Sequence, residues 1–117
     1  MPGFKYEFDV LKVVWLSEIN FRIHVFISMF VFCLGLILKL NTIEWMGILL
    51  CVGMVIGAEV INTAIEHLCD LTSKEIRPEI KVIKDISAAG VLIQAIISII
   101  VGCIIFLPKV IQTFLSQ

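Results

Sequence analysis

Charge is what this chain has little of. Asp, Glu, Lys and Arg make up 16% of its 117 residues, against about 25% in a soluble domain. Hydrophobic residues make up 60% of it, and its mean hydropathy is +1.08. These values exclude an ordinary water-soluble domain and describe an all-α membrane protein. A net charge of −1 gives no reason to expect a nucleic-acid partner. Cys33, Cys51, Cys69 and Cys103 lack the paired spacing of a metal site, and three of them fall inside apolar runs, so they read as small packing residues. The first 20 residues lack the ordered basic start, apolar centre and small-residue cleavage site of a removable signal peptide. Also missing are the Gly-x-x-x-x-Gly-Lys-Ser/Thr loop and the protein-kinase signatures, so any nucleotide is held without those devices. The length allows one compact helical unit, a single domain over residues 1–117.

The apolar residues are arranged in four blocks. Phe4, Phe8, Leu11 and Trp15 recur at helical spacing, with Lys5, Glu7, Asp9 and Lys12 largely elsewhere on the wheel. This predicts an amphipathic helix over about residues 3–18, too charged to span and suited to the membrane surface; a helix packed on another protein is the alternative. Spans are expected at about 21–40, 45–65 and 86–107. The first holds 16 residues, Ile23 to Leu38, without Asp, Glu, Lys or Arg, and Arg22 and Lys39 can snorkel from its ends. Asn41 and Thr42 form the turn, and Trp45 suits the interface at which the chain re-enters. His67 to Asp85 is polar and contains Pro78, which predicts a loop with broken helical ends. Pro108 and Lys109 are expected to stop the third span. Lys5, Lys12, Arg22, Lys74, Arg77, Lys81 and Lys84 then share one side, against Lys39 and Lys109 on the other, so the first side is cytoplasmic.

Against that background the stretch from Glu59 to Asp70 stands out. Asn62, Glu66 and Asp70 follow Glu59 by three, seven and eleven residues, so all four share one helical stripe, with Thr63 beside it. A carboxylate at membrane depth costs at least ~2.5 kcal/mol on insertion scales, and such residues usually face a protein interior and serve a site. A buried polar staple between helices is the alternative. Glu18 stands 24 residues before Thr42 and Glu66 stands 24 after it, so an antiparallel hairpin brings the two to one depth. Glu59 sits ~10 Å deeper. Lys84 and Asp85 open the third span at the carboxylate level, which predicts a cytoplasmic-face cluster of Glu18, Glu66, Asn62, Lys84 and Asp85 above Glu59.

Two carboxylates at one level can hold a hard cation such as Mg²⁺, completed by waters and substrate phosphates. Lys84 can meet phosphate oxygens. A deeper carboxylate fits a general base acting on a lipid-borne hydroxyl. The order, phosphate donor above and lipid acceptor below, suits a lipid kinase. An ion-conducting or transporting bundle also keeps carboxylates near a helix end, so both classes stand on spacing alone.

Glu-x-x-Asn-Thr-Ala-Ile-Glu-x-x-x-Asp from Glu59 to Asp70, then Lys84-Asp85 and Ala88-Ala89-Gly90-Val91, resembles the small bacterial diacylglycerol kinase and undecaprenol kinase family. The resemblance extends to Glu18-x-Asn20-x-Arg22-Ile23-His24, Ile43-Glu44-Trp45 and Ile105-Phe106-Leu107-Pro108, and is nearest the undecaprenol kinase subgroup of Gram-positive bacteria. It implies a homotrimer in the bacterial inner membrane, each chain with a surface helix and three spans, using MgATP to phosphorylate a lipid alcohol at the cytoplasmic face. Glu59 then matches the catalytic base, and Glu18 and Glu66 match the metal ligands. Tyr6, Asn62, Lys84 and Asp85 match nucleotide-site positions, with Lys5, Arg22, Thr63 and Asp70 in support. Glu7, Val10 and Glu75-Ile76-Arg77 depart from the pattern on the nucleotide side. Gly53, Gly57, Ala58 and Ala64 on span two, and Ser87, Ala88, Ala89 and Gly90 on span three, are small enough to let helices approach one another closely. Undecaprenol is favoured over diacylglycerol as acceptor, because Val52 to Ile61 offers no uncharged polar side chain to meet ester groups.

Overall fold

A computed structural model of the chain describes residues 3–116. It contains four helices: α1 Lys5–Ser17, α2 Ile19–Ile37, α3 Thr42–Thr72 and α4 Pro78–Leu115. The last three are long and apolar enough to cross a membrane. α4 packs mainly along α3, α2 lies against α3, and α1 joins the assembly through α2. The resulting slab measures 60 × 38 × 21 Å, and its thin dimension accommodates about two helices.

Each corner of the slab is set by identifiable residues. Between α1 and α2 the single extended residue is Glu18, at φ −112° and ψ 105°. Aromatic packing closes this corner: Trp15 meets Phe21 edge-on at 6.4 Å and Phe26 at 5.7 Å between ring centres. The turn from α2 to α3 carries Lys39 in the left-handed region at φ 57°, the only described non-glycine residue there. Asn41 then caps α3. Its side-chain oxygen accepts from the Glu44 amide at 2.9 Å, and the Glu44 carboxylate accepts from the Asn41 amide at 3.0 Å. Glu44 also reaches Lys109 of α4 at 3.1 Å, which ties this end of the slab together. The turn is tight because of Gly35: a Cβ there would stand 2.8 Å from the Trp45 ring.

Two expectations need correction. The stretch 67–85 is mostly helical: α3 runs on to Thr72, and α4 begins at Pro78. Proline at the first position of a helix starts it, because the missing N–H would have had no partner there. Only 73–77 is irregular, with the Ser73 hydroxyl accepting from the Glu75 amide at 3.1 Å. Nor does Pro108 stop the third long helix, since α4 continues through it to Leu115. Proline removes one internal hydrogen bond, to the carbonyl four residues back, and the turns beyond it bond among themselves. Thr113 supports that final turn by donating to the Lys109 carbonyl at 2.9 Å.

Candidate active site

The polar residues of α3 gather on its protein-facing side. Glu59, Asn62 and Thr63 are buried at 4%, 6% and 4% exposure, although most large apolar side chains of the chain are open to the surroundings. The burial is thus inverted relative to a soluble core, as expected where the outside is lipid and the inside serves chemistry.

Glu59 has His24, Glu66 and Glu18 as its ionisable neighbours, which places the three glutamates in one region. Across the hairpin, His67 Nε2 lies 3.8 Å from Glu18 Oε1, so Glu18 is level with the residue that follows Glu66. Asn62 Nδ2 donates to Glu66 Oε1 at 3.1 Å. Its Oδ1 is buried with no hydrogen-bond partner among the described residues. The Thr63 hydroxyl is spent on the Glu59 carbonyl at 3.0 Å. At the Glu59 carboxylate the contact is His24 Nε2, 3.9 Å from Oε2.

Lys84 and Asp85 pair elsewhere. Lys84 Nζ meets Asp70 Oδ1 at 2.8 Å, and Asp85 Oδ2 meets Lys81 Nζ at 2.6 Å. Lys84 keeps Glu66 among its ionisable neighbours, so Glu18, Asn62 and Glu66 are continuous with a second group of Asp70 and Lys84, while Asp85 pairs instead with Lys81. The second group opens into a cavity of about 540 Å³ with Lys74, Arg77, Lys81 and Lys84 in its lining. Tyr6 and Lys5 stand at the far end of α1, about 18–20 Å along the helix from Glu18, and Tyr6 is exposed. Arg22 is half-buried and makes no ion pair among the described residues.

Below Glu59 a cavity of about 270 Å³ runs among α2, α3 and α4, with His24 at one end and apolar side chains such as Ile48, Val55 and Phe106 along it. His67, beside Glu18, is a residue the sequence offers as helping to shape the site or else as a solvated helix end; His24, Lys74 and Lys81 are neighbours to which it assigns no site role. For His24 the signal was present, an ionisable side chain inside a span otherwise free of charge. For Lys74 and Lys81 none separated them from solvated lysines.

A metal held wholly by protein is not provided for, since among the described residues no three or more His, Cys, Asp or Glu side chains are grouped to bind one. Two carboxylates and the unpartnered Asn62 oxygen do suit a hard cation that keeps waters and phosphate oxygens as its other ligands.

One buried acid, Glu59, close to an apolar cavity, a mainly basic cavity nearby and three apolar helices are the features of a membrane protein with a polar site inside its helix bundle. The family described as prokaryotic diacylglycerol kinase matches residues 5–106. Undecaprenol kinase of Bacillus subtilis is 42% identical over 93 residues, which cover 80% of this chain and 76% of that protein. Diacylglycerol kinase of Synechocystis is 33% identical over 113 residues, covering 96% of this chain and 65% of the relative. The Helicobacter pylori diacylglycerol kinase is 34% identical over 91 residues, covering 78% and 71% of the two chains. The chain belongs to the prokaryotic diacylglycerol kinase family. It is a multi-pass membrane lipid kinase.

Proposed function

We propose that the protein transfers the γ-phosphoryl group of MgATP to undecaprenol, yielding undecaprenyl phosphate and ADP. The observation that carries the chemistry is Glu59, a carboxylate buried to 4% exposure close to an apolar cavity, with Glu18 and Glu66 as neighbours. Glu59 takes the proton of the acceptor hydroxyl as its oxygen attacks the γ-phosphorus, and ADP leaves in line. Glu18 and Glu66 would hold Mg²⁺, with Asn62 fixing the Glu66 carboxylate through its 3.1 Å bond. Mg²⁺, when bound, neutralises charge on the transferring phosphates. Lys84 and its basic neighbours meet the nucleotide phosphates, and Asp70 keeps the Lys84 ammonium in place. Asp85, Tyr6, Lys5, Arg22 and Thr63 complete the nucleotide side and its support.

The acceptor reading rests on the 42% identity to an undecaprenol kinase and on the cavity below Glu59, whose lining is almost entirely apolar. A slim allylic alcohol needs no polar partners along its length, whereas the esters of diacylglycerol do. Diacylglycerol is the second reading, favoured by the names of the other two relatives. The unit is a single domain in the bacterial inner membrane, with α1 on the surface and the site at the cytoplasmic face. It assembles as a homotrimer: Gly53, Gly57 and Gly90 face open space, and a slab 21 Å thick leaves these faces for other copies. The test is phosphoryl transfer from radiolabelled ATP to undecaprenol, diacylglycerol and ceramide in matched micelles. Clearly faster turnover of diacylglycerol than of undecaprenol refutes the acceptor. Absence of any phosphorylated lipid refutes the whole reading in favour of a channel or transporter.

A further inference from the structure

Glu59 is poorly provided for by its own helix. Of the hydrogen-bonding side chains nearest to it on α3, Thr63 donates to the Glu59 carbonyl at 3.0 Å, and Asn62 donates to Glu66 at 3.1 Å. No hydrogen bond reaches the Glu59 carboxylate among the described residues, and the side chain is 5% exposed, so water does not substitute freely. An acid in that position rotates about its side-chain bonds unless a neighbour holds it. A misplacement of 1 Å at a reacting group can cost about 100-fold in rate.

The neighbour is on α2. His24 lies six residues beyond Glu18, ~9 Å along the helix, and Glu59 lies seven before Glu66, ~10 Å, so the two side chains share one depth below the metal-level acids. His24 Nε2 stands 3.9 Å from Glu59 Oε2, and the same imidazole lines the head of the apolar cavity. A separation of 3.9 Å is longer than a hydrogen bond, and catalytic contacts often tighten once substrate is bound. The backbone is held there too, since the buried Ser28 hydroxyl donates to the His24 carbonyl at 2.7 Å.

We propose that His24 is a positioning residue for the phosphoryl transfer. Its Nε2–H engages Glu59 Oε2, leaving Oε1 turned to the acceptor hydroxyl that arrives through the cavity. The proton leaves the hydroxyl for Oε1, and the imidazole neither gains nor loses one. This rests on the reading of Glu59 as base.

The test uses the full-length enzyme in micelles with three substitutions. Gln places its amide nitrogen near the Nε2 position, Asn reaches only to the Nδ1 position, and Leu has no donor. His24→Leu and His24→Asn should lower kcat at least about tenfold with KM for MgATP unchanged, and His24→Gln should restore kcat to within about threefold of wild type. In a Glu59→Asp background, where the carboxylate is withdrawn by a methylene, His24→Leu should add less than about a twofold loss. Wild-type kcat in the Leu variant, equal losses for Gln and Leu, or an undiminished loss in the Glu59→Asp background overturns the proposal. Glu59→Gln, run in parallel, separates the two claims. If it is inactive while the Leu variant turns over normally, only His24 is misassigned; if it is active, the base reading itself falls.

Discussion

Asn62→Leu should disable the enzyme while scarcely changing its stability. The substitution approximately conserves volume at a residue 6% exposed, so no large cavity opens. It removes two features of opposite sign. The 3.1 Å bond from Nδ2 to the half-buried Glu66 carboxylate disappears, and a bond to a charged group contributes ~1.5–3 kcal/mol. The buried Oδ1 without a partner disappears as well, and such an orphan costs ~1–3 kcal/mol in the folded state. The two nearly cancel, leaving a net change within about 2 kcal/mol of zero. Function has no such compensation: Glu66 loses the donor that orients it, and one of the two proposed Mg²⁺ ligands becomes mobile. A fall in kcat of about 100-fold is expected. The assays are SDS-induced unfolding of the purified protein and turnover of MgATP with lipid acceptor. A loss of stability above about 3 kcal/mol, or a kcat within about threefold of wild type, refutes the reasoning.

Glu18→Ala and Glu66→Ala should each raise the Mg²⁺ concentration needed for half-maximal rate, or abolish activity, in a Mg²⁺ titration at fixed ATP. Lys39→Gly should raise the SDS unfolding midpoint, by an amount equivalent to ~1 kcal/mol, because Lys39 sits at φ 57° where glycine carries no Cβ penalty. Gly35→Ala should lower that midpoint by ~1–3 kcal/mol, since its methyl would meet the Trp45 ring at 2.8 Å; a neutral result there would show that the turn yields easily.

The apolar spans were legible because bilayer thickness imposes length and apolarity, and α2 begins and ends within a few residues of the stretch those criteria mark. Helix ends were less so. Polarity beyond a span suggests a loop, yet α3 extends to Thr72, and the polar start of α4 carries the i,i+4 pair of Lys81 and Asp85. Pro78 and Pro108 show why a proline is ambiguous in sequence: one opens α4, and the other rides inside it. The stripe on α3 followed from periodicity alone. Cross-helix partners did not, because the rotation of α2 and α4 against α3 is set by packing. That rotation turns His24 toward Glu59 and takes Lys84 to Asp70.

Glu59→Gln bears most directly on the central claim. The amide keeps the shape of the acid but cannot accept the hydroxyl proton, and general-base catalysis contributes ~100–10,000-fold. Phosphoryl transfer to undecaprenol should therefore fall by that factor while the variant still inserts and binds MgATP with unchanged affinity. Near-normal turnover would contradict Glu59 as the base, and loss of MgATP binding would place its carboxylate in the metal shell instead.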